Sequence, residues 1–133
     1  MIAVDTSALM AILLGEPERD RMIAALEQAD RAVISTGTLI ELRIVAFRKH
    51  GASLAAEVDV LLNLFGIDVA SVGAEESDLA HTAFVQYGKG NGHPAQLNFG
   101  DLFAYALAKS RGVPLLFKGD DFAATDIASA MAG

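Results

Sequence analysis

The chain contains no cysteine. That absence excludes a disulfide framework, a thiolate metal site and a cysteine nucleophile, and it suits a reducing cytoplasm, where the chain is expected to reside. Proline is scarce, with three residues, and basic residues are outnumbered, with 10 Lys and Arg against 17 Asp and Glu. The resulting net charge of −7 argues against a simple nucleic-acid binder, whose footprint is basic. Long apolar runs are missing too. No stretch approaches the roughly 18 uninterrupted apolar residues of a membrane span. The run Ala8 to Leu14 stops at Gly15 and is followed by Glu16, Glu18, Arg19 and Asp20. No basic segment precedes it, so it does not read as a signal peptide or as a membrane element.

What is present fits one domain over residues 1–133, large enough for a hydrophobic core. The apolar share, 53%, is high, and apolar surface left exposed by the fold is expected to meet a partner. Gly and Pro divide the chain into short apolar runs and longer amphipathic segments. Strands are predicted at Ile2–Val4, Ala32–Ser35, Ile67–Val72 and Pro114–Phe117, with a short fifth near Ile127. Helices are predicted over Ser7–Leu14, Pro17–Ala29, Leu39–His50, Leu54–Leu64, Glu75–Tyr87 and Gly100–Ser110, and a glycine-rich loop over Gly88–Asn98. Strands alternating with helices indicate an α/β fold with a mostly parallel sheet.

In such sheets ligands bind beyond the carboxyl ends of the strands. Asp5 follows the first strand directly. Glu41 lies in the first turn of the helix after the second strand, and that turn starts at the same edge. Asp101 opens the helix that leads through a short link into the fourth strand, so its start lies at the far end of that strand. Asp120 and Asp121 follow the fourth strand. Each acid alone has a structural use. Thr38-Leu-Ile-Glu41 has the spacing of a capping box, Asp101 suits a helix macrodipole, and Asp120 and Asp121 suit a turn. Independent structural uses give no reason for four distant segments to converge on one rim.

Clustered carboxylates raise one another's pKa, and a hard divalent cation relieves the repulsion. Carboxylate oxygens favour Mg²⁺, with Mn²⁺ as a substitute, while the missing cysteine and the scatter of His50, His81 and His93 disfavour zinc. A cation held by few protein ligands keeps waters and recruits phosphate oxygens, so hydrolysis of a phosphate ester is the chemistry these residue types suit.

These residues resemble those of a known family. Ile2-Ala-Val-Asp-Thr-Ser-Ala-Leu9, Thr38-Leu-Ile-Glu41, Leu97-Asn-Phe-Gly-Asp101 and Leu115-Leu-Phe-Lys-Gly-Asp-Asp-Phe122 with Thr125-Asp126-Ile127 look like a PIN domain, and more narrowly like the VapC-type toxins of bacterial toxin–antitoxin pairs. The likeness runs from Met1 to about Ile127. It implies a three-layer α/β/α fold with a four- to five-stranded sheet, and Mg²⁺-dependent endoribonuclease activity on structured RNA such as tRNA or rRNA. Asp5, Glu41 and Asp101 match the family's three main acids. The fourth is the Asp before Phe in the Gly-x-Asp-Phe block, here Asp121. Asp120 fills the variable position and is placed with Thr6 and Ser7 as a supporting residue, Ser7 matching a small hydroxyl that bonds a carboxylate or water.

The resemblance also implies a homodimer and a cognate VapB-like antitoxin. An acidic cleft facing Arg or Lys of that partner would form charge-assisted pairs, giving the −7 charge a use in inhibition. For RNA, Lys89 and His93 in the glycine-rich loop and Lys118 beside Asp121 are the candidate substrate contacts; loss of either lysine is expected to lower the salt dependence of binding. Arg48, Lys49, Lys109 and Arg111 read as surface charge, His81 as structural, and Phe99, Phe103 and Tyr105 as residues that pack the core or a dimer surface, with base stacking as the alternative. A phosphotransfer domain is disfavoured because no Asp-x-Asp follows the first strand. A noncatalytic interaction module is disfavoured by the full acid set, and a PIN-type RNA-processing nuclease outside a toxin–antitoxin pair is the alternative within the family.

Overall fold

A computed structural model describes residues 1–131 of the chain. Nine elements follow one another: β1 (Ile2–Val4), α1 (Thr6–Leu13), α2 (Arg19–Gln28), β2 (Ala32–Ser35), α3 (Thr36–Leu64), β3 (Asp68–Ala70), α4 (Ala74–Tyr87), α5 (Phe99–Arg111) and β4 (Leu115–Leu116). The strands form one sheet in the order β3-β2-β1-β4, every neighbouring pair parallel. The central strand β1 is buried along its whole length, as an inner strand covered on both faces must be.

The period of two divides the core. Ile2 and Val4 of β1 with Ala32 and Ile34 of β2 face one side, where Leu9, Met22, Leu42 and Val58 of the first three helices cover them. Ala3 and Val33 face the other side, against Ala83 and Tyr87 of α4 and Leu102, Tyr105 and Leu107 of α5. The result is the expected three-layer α/β/α arrangement. Among the described residues no helix is long and apolar enough to cross a membrane.

Several boundaries differ from the sequence-based expectation. The predicted helices Leu39–His50 and Leu54–Leu64 run as α3, but the backbone leaves helical geometry at His50 and Gly51, so two helices meet at a kink there. Gly51 carries φ 74, which a side chain would strain. Pro17 lies in the turn before α2 and not in its first turn. The third strand shortens to Asp68–Ala70 because it lies at the sheet edge and has only β2 to pair with. No fifth strand forms near Ile127 among the described residues. The tail instead makes a single parallel bridge, Leu115 with Ser129, in which Leu115 N–H donates to the Ala128 carbonyl and Ala130 N–H to the Leu115 carbonyl, both at 2.9 Å.

Candidate active site

β1 ends at Val4, and Asp5 is the N-cap of α1. Its side chain accepts from the Ser7 backbone N–H at 3.1 Å and the Ser7 hydroxyl at 2.6 Å, both on Oδ2. The other oxygen, Oδ1, is buried and has no hydrogen-bond partner. Asp5 is only 4% exposed, and burial pushes its pKa up to about 6, with the charge of Glu41 adding to the rise while the Ser7 bonds oppose it.

Glu41 was expected to have the spacing of a capping residue with Thr38. It has no such role. The N-cap of α3 is Ser35, whose hydroxyl accepts from Gly37 N–H at 3.2 Å, and Glu41 lies a full turn further in. Its Oε1 accepts from the Thr6 hydroxyl at 2.6 Å, which binds α3 to the start of α1. Its other side rests on the backbone of α5: a Cβ at Gly100 would be driven into the Glu41 carboxylate. A side chain there would have to displace the Glu41 carboxylate, because two helices bring an acid and a main chain into contact.

A capping box does exist, at Asp101. Asp101 N–H donates to Asn98 Oδ1 and Asn98 N–H donates to Asp101 Oδ2, each at 3.0 Å. The helix-start use that stood as an alternative for Asp101 is therefore real. It does not compete with a second use, because Asp101 is also 7% exposed and lies within the field of the other acids. Burial, and after it the charges of Asp5, Asp121 and Glu41, raise its pKa to about 7 against the Asn98 N–H bond, which lowers it. Those charges draw the four acids into one electrostatic cluster.

Asp121 is the acid of the last block whose charge reaches Asp101. It is exposed in a turn that begins beyond Gly119 (φ 93), and it is anchored by its neighbour Phe122, 1% exposed and tilted onto Phe117 with ring centroids 5.2 Å apart. Burying that ring contributes about 2–3 kcal/mol and fixes where the preceding carboxylate emerges. Asp120 is exposed beside it, its carbonyl accepting from Ala123 N–H at 3.1 Å.

The candidate substrate residues are placed less uniformly. The amine of Lys118 is held by Glu16 at 3.2 Å and Glu18 at 3.6 Å, and what Lys118 brings to the acids is its backbone N–H, donated to Ser7 Oγ at 2.9 Å. His93 accepts on Nδ1 from Ala95 N–H at 3.0 Å and packs edge-on against Tyr87, so it fastens the glycine-rich loop. Lys89 is exposed at the base of that loop, where its N–H donates to the Leu97 carbonyl. His81 is exposed on α4, with no packing use. Tyr105 is buried and donates to Asp126 at 2.6 Å, while Phe99 is 75% exposed and so is not part of the core. Phe99 meets Phe103 edge-on beside an apolar cavity of about 340 Å³ that Glu41 and Gly100 also line. The sequence reading missed Gly100, Asn98 and the Lys118 N–H; only Asn98 had a local signal, the Asn-x-x-Asp spacing of a cap.

Among the described residues no three His, Cys, Asp or Glu side chains already close around a single point as a metal cage. The acids whose charges act on one another offer only carboxylate oxygens, and one of these, Asp5 Oδ1, is buried without a partner. That donor set is open and hard, the kind suited to a cation that keeps several of its waters.

Comparison with known proteins agrees with this arrangement. The model of the PIN domain family matches residues 2–128. Ribonuclease VapC42 of Mycobacterium tuberculosis is 44% identical over 124 residues, covering 93% of this chain and 95% of the relative. Ribonuclease VapC30 of the same species is 43% identical over 128 residues, covering 96% and 97%. In fold, the chain is similar to the crystal structure of M. tuberculosis VapC20, a Sarcin-Ricin loop cleaving toxin, with a TM-score of 0.77 at 20% identity and 96% coverage of each chain. It is also similar to VapBC-1 from nontypeable Haemophilus influenzae, with a TM-score of 0.70 at 22% identity and coverage of 97% and 96%. A family match across almost the whole length, with curated relatives above 40% identity, places the chain in the PIN domain family, among its VapC ribonucleases.

Proposed function

We propose that the chain is the toxin of a toxin–antitoxin pair and acts as a Mg²⁺-dependent endoribonuclease, with Mn²⁺ as a substitute, on structured RNA such as tRNA or rRNA. The observation that carries this reading is Asp5: a buried carboxylate with one unpartnered oxygen, drawn into one field with Glu41, Asp101 and Asp121. Burial without a compensating partner is costly for a carboxylate, and a cation would offset that cost. Asp5, Asp101, Glu41 and Asp121 are the residues that would hold it. A bound Mg²⁺ supplies Lewis acidity toward a phosphodiester oxygen and lowers the pKa of a water.

The chain's own residues supply the rest. Ser7 occupies Oδ2 of Asp5 and leaves Oδ1 buried without a partner. Thr6 and the bare backbone at Gly100 hold Glu41 in one rotamer. The Asn98 cap does the same for Asp101, so three acids are preorganised before any ligand arrives. Asp121, exposed on a turn, is the acid with most freedom to follow a substrate.

An antitoxin carrying Arg or Lys would pair with these same acids, and the net charge of −7 favours such a partner. The relatives of known structure include VapBC-1 and a toxin–antitoxin complex from Klebsiella pneumoniae, which supports a VapB-like partner here. A homodimer acting in the cytoplasm completes the proposal, and the exposed Ile40, Phe47, Val60 and Leu64 supply apolar surface for protein contacts.

The test is cleavage of total RNA by the purified chain in Mg²⁺, in EDTA, and with Asp5→Asn in Mg²⁺. Cleavage only by wild type with metal is expected, and mapping the new 5′ ends then names the RNA. Equal cleavage by Asp5→Asn, or cleavage that survives EDTA, would refute the catalytic assignment. If removing basic residues from the antitoxin left the complex unaffected, the charge-based account of inhibition would fall.

A further inference from the structure

The segment after β4 reaches the acid cluster at two points, the backbone N–H of Lys118 and the carboxylate of Asp121. We infer that Lys118 is a positioning residue: its amine latches this segment to the α1–α2 turn, and its N–H thereby sets which oxygen of Asp5 stays free. The inference rests on the metal-dependent reading of the site.

The latch is built from three side chains that are each about a third exposed. Lys118 Nζ lies 3.2 Å from Glu16 Oε2 and 3.6 Å from Glu18 Oε1, with side-chain exposures of 32%, 31% and 31%. Glu18 is the N-cap of α2, yet its side chain makes no capping bond, and its Oε1 is buried with no hydrogen-bond partner. It is therefore free to serve Lys118. Pro17 separates the two glutamates and limits the turn they sit on, while Glu16 N–H is tied to the Ala11 carbonyl at 2.9 Å. Glu16 is the main reason the lysine is held above its usual pKa, so the amine stays charged.

The other end of the chain of contacts is the serine. A hydroxyl has one hydrogen to give. Lys118 N–H donates to Ser7 Oγ at 2.9 Å, and Ser7 gives its hydrogen to Asp5 Oδ2 at 2.6 Å. Ser7 N–H donates to the same oxygen at 3.1 Å. Oδ2 is satisfied twice and Oδ1 not at all. Lys118 thus touches both ends of α1, by its backbone at the first turn and by its amine just past the last. Release of the amine would loosen the N–H, free the Ser7 hydroxyl to turn, and let the Asp5 carboxylate rotate.

Three variants test this: Lys118→Met, Lys118→Arg, and the double change Glu16→Gln with Glu18→Gln. Partly exposed ion pairs contribute little each, so Lys118→Met and the double variant are expected to lower kcat about three- to tenfold with KM nearly unchanged. Both should weaken Mn²⁺ binding, measured by calorimetry with the metal alone, by a similar factor, and Lys118→Arg should restore both quantities. A melt followed by circular dichroism confirms that each variant is folded.

A direct phosphate contact by Lys118 predicts the opposite pattern. Lys118→Met would then raise KM and lower the salt slope of RNA binding by about one, while the double Gln variant, by freeing the amine, would tighten RNA binding. That pattern overturns the inference, as does unchanged Mn²⁺ affinity in Lys118→Met and the double variant. Absence of metal-dependent cleavage by wild type overturns the ribonuclease reading instead, and the Mn²⁺ titration still decides the latch.

Discussion

Asp5→Asn should make the metal-free protein more stable at pH 8 and less stable at pH 4. The unfolded chain ionises Asp5 near 3.8, whereas in the folded chain burial moves this to about 6. A carboxyl whose folded pKa is raised contributes stability that is fully present below the unfolded value and lost as pH rises through the folded value. The loss therefore falls between about pH 4 and pH 6–7, and the gap between 3.8 and about 6 corresponds to about 3 kcal/mol. Asparagine is isosteric and never ionises, so it removes this loss. It also places an amide where Oδ1 now lies unpartnered, and a buried donor without an acceptor costs about 1 kcal/mol or more. The expected balance is a gain of about 1–2 kcal/mol at pH 8 and a loss of about 1 kcal/mol at pH 4, where the ionisation cost has vanished. In a chain of this size each kcal/mol moves Tm by about 3–6 °C. Urea unfolding in EDTA at the two pH values measures the difference directly. Mg²⁺ should then stabilise wild type more than the variant, since binding to the folded form adds to its stability. A variant less stable than wild type at both pH values would refute the argument that buried negative charge strains this site.

Three further outcomes are expected. Gly100→Ala should displace the Glu41 carboxylate, which its Cβ would meet, and cut RNA cleavage about tenfold or more; full activity would mean Glu41 is not needed where it lies. Thr6→Val keeps the side-chain shape but removes the 2.6 Å bond to Glu41, so kcat should fall several-fold and stability by about 1 kcal/mol, read by single-turnover kinetics and denaturant melts. Tyr105→Phe deletes the hydrogen bond to Asp126, which is not one of the four clustered acids, and should cost about 1 kcal/mol of stability with no change in cleavage rate.

Much of the acid cluster was legible because it follows from connectivity. Parallel strands joined by short links force each helix to start at the carboxyl edge, and Asp5, Glu41 and Asp101 sit at or near those starts. The choice between Asp120 and Asp121 was not legible from connectivity, since adjacent residues in a turn differ only in direction. In the fold, Phe122 is buried beside Asp121, and the Asp121 charge is one of those that raise the pKa of Asp101. Where the Lys118 amine goes was not legible for a similar reason. Nearness in sequence puts Lys118 beside Asp121, but a long side chain goes where its charge is satisfied, and Glu16 and Glu18 lie across the turn.

The sequence by itself determined the alternation of elements, because hydrophobic period and Gly and Pro punctuation are local properties, and its motif blocks carried the resemblance to the family. It also determined which residue types the site would contain, and so the hard, all-oxygen donor set. Only the tertiary structure decided how those donors are held. Asp5 lost one oxygen to Ser7, Glu41 gained Thr6 and the bare Gly100 backbone, and Asp101 took the cap that the spacing had suggested for Glu41. Each of these contacts except the cap and the Ser7 bond joins residues more than 30 positions apart. Packing brings such distant partners together, and no local pattern in the chain encodes those contacts.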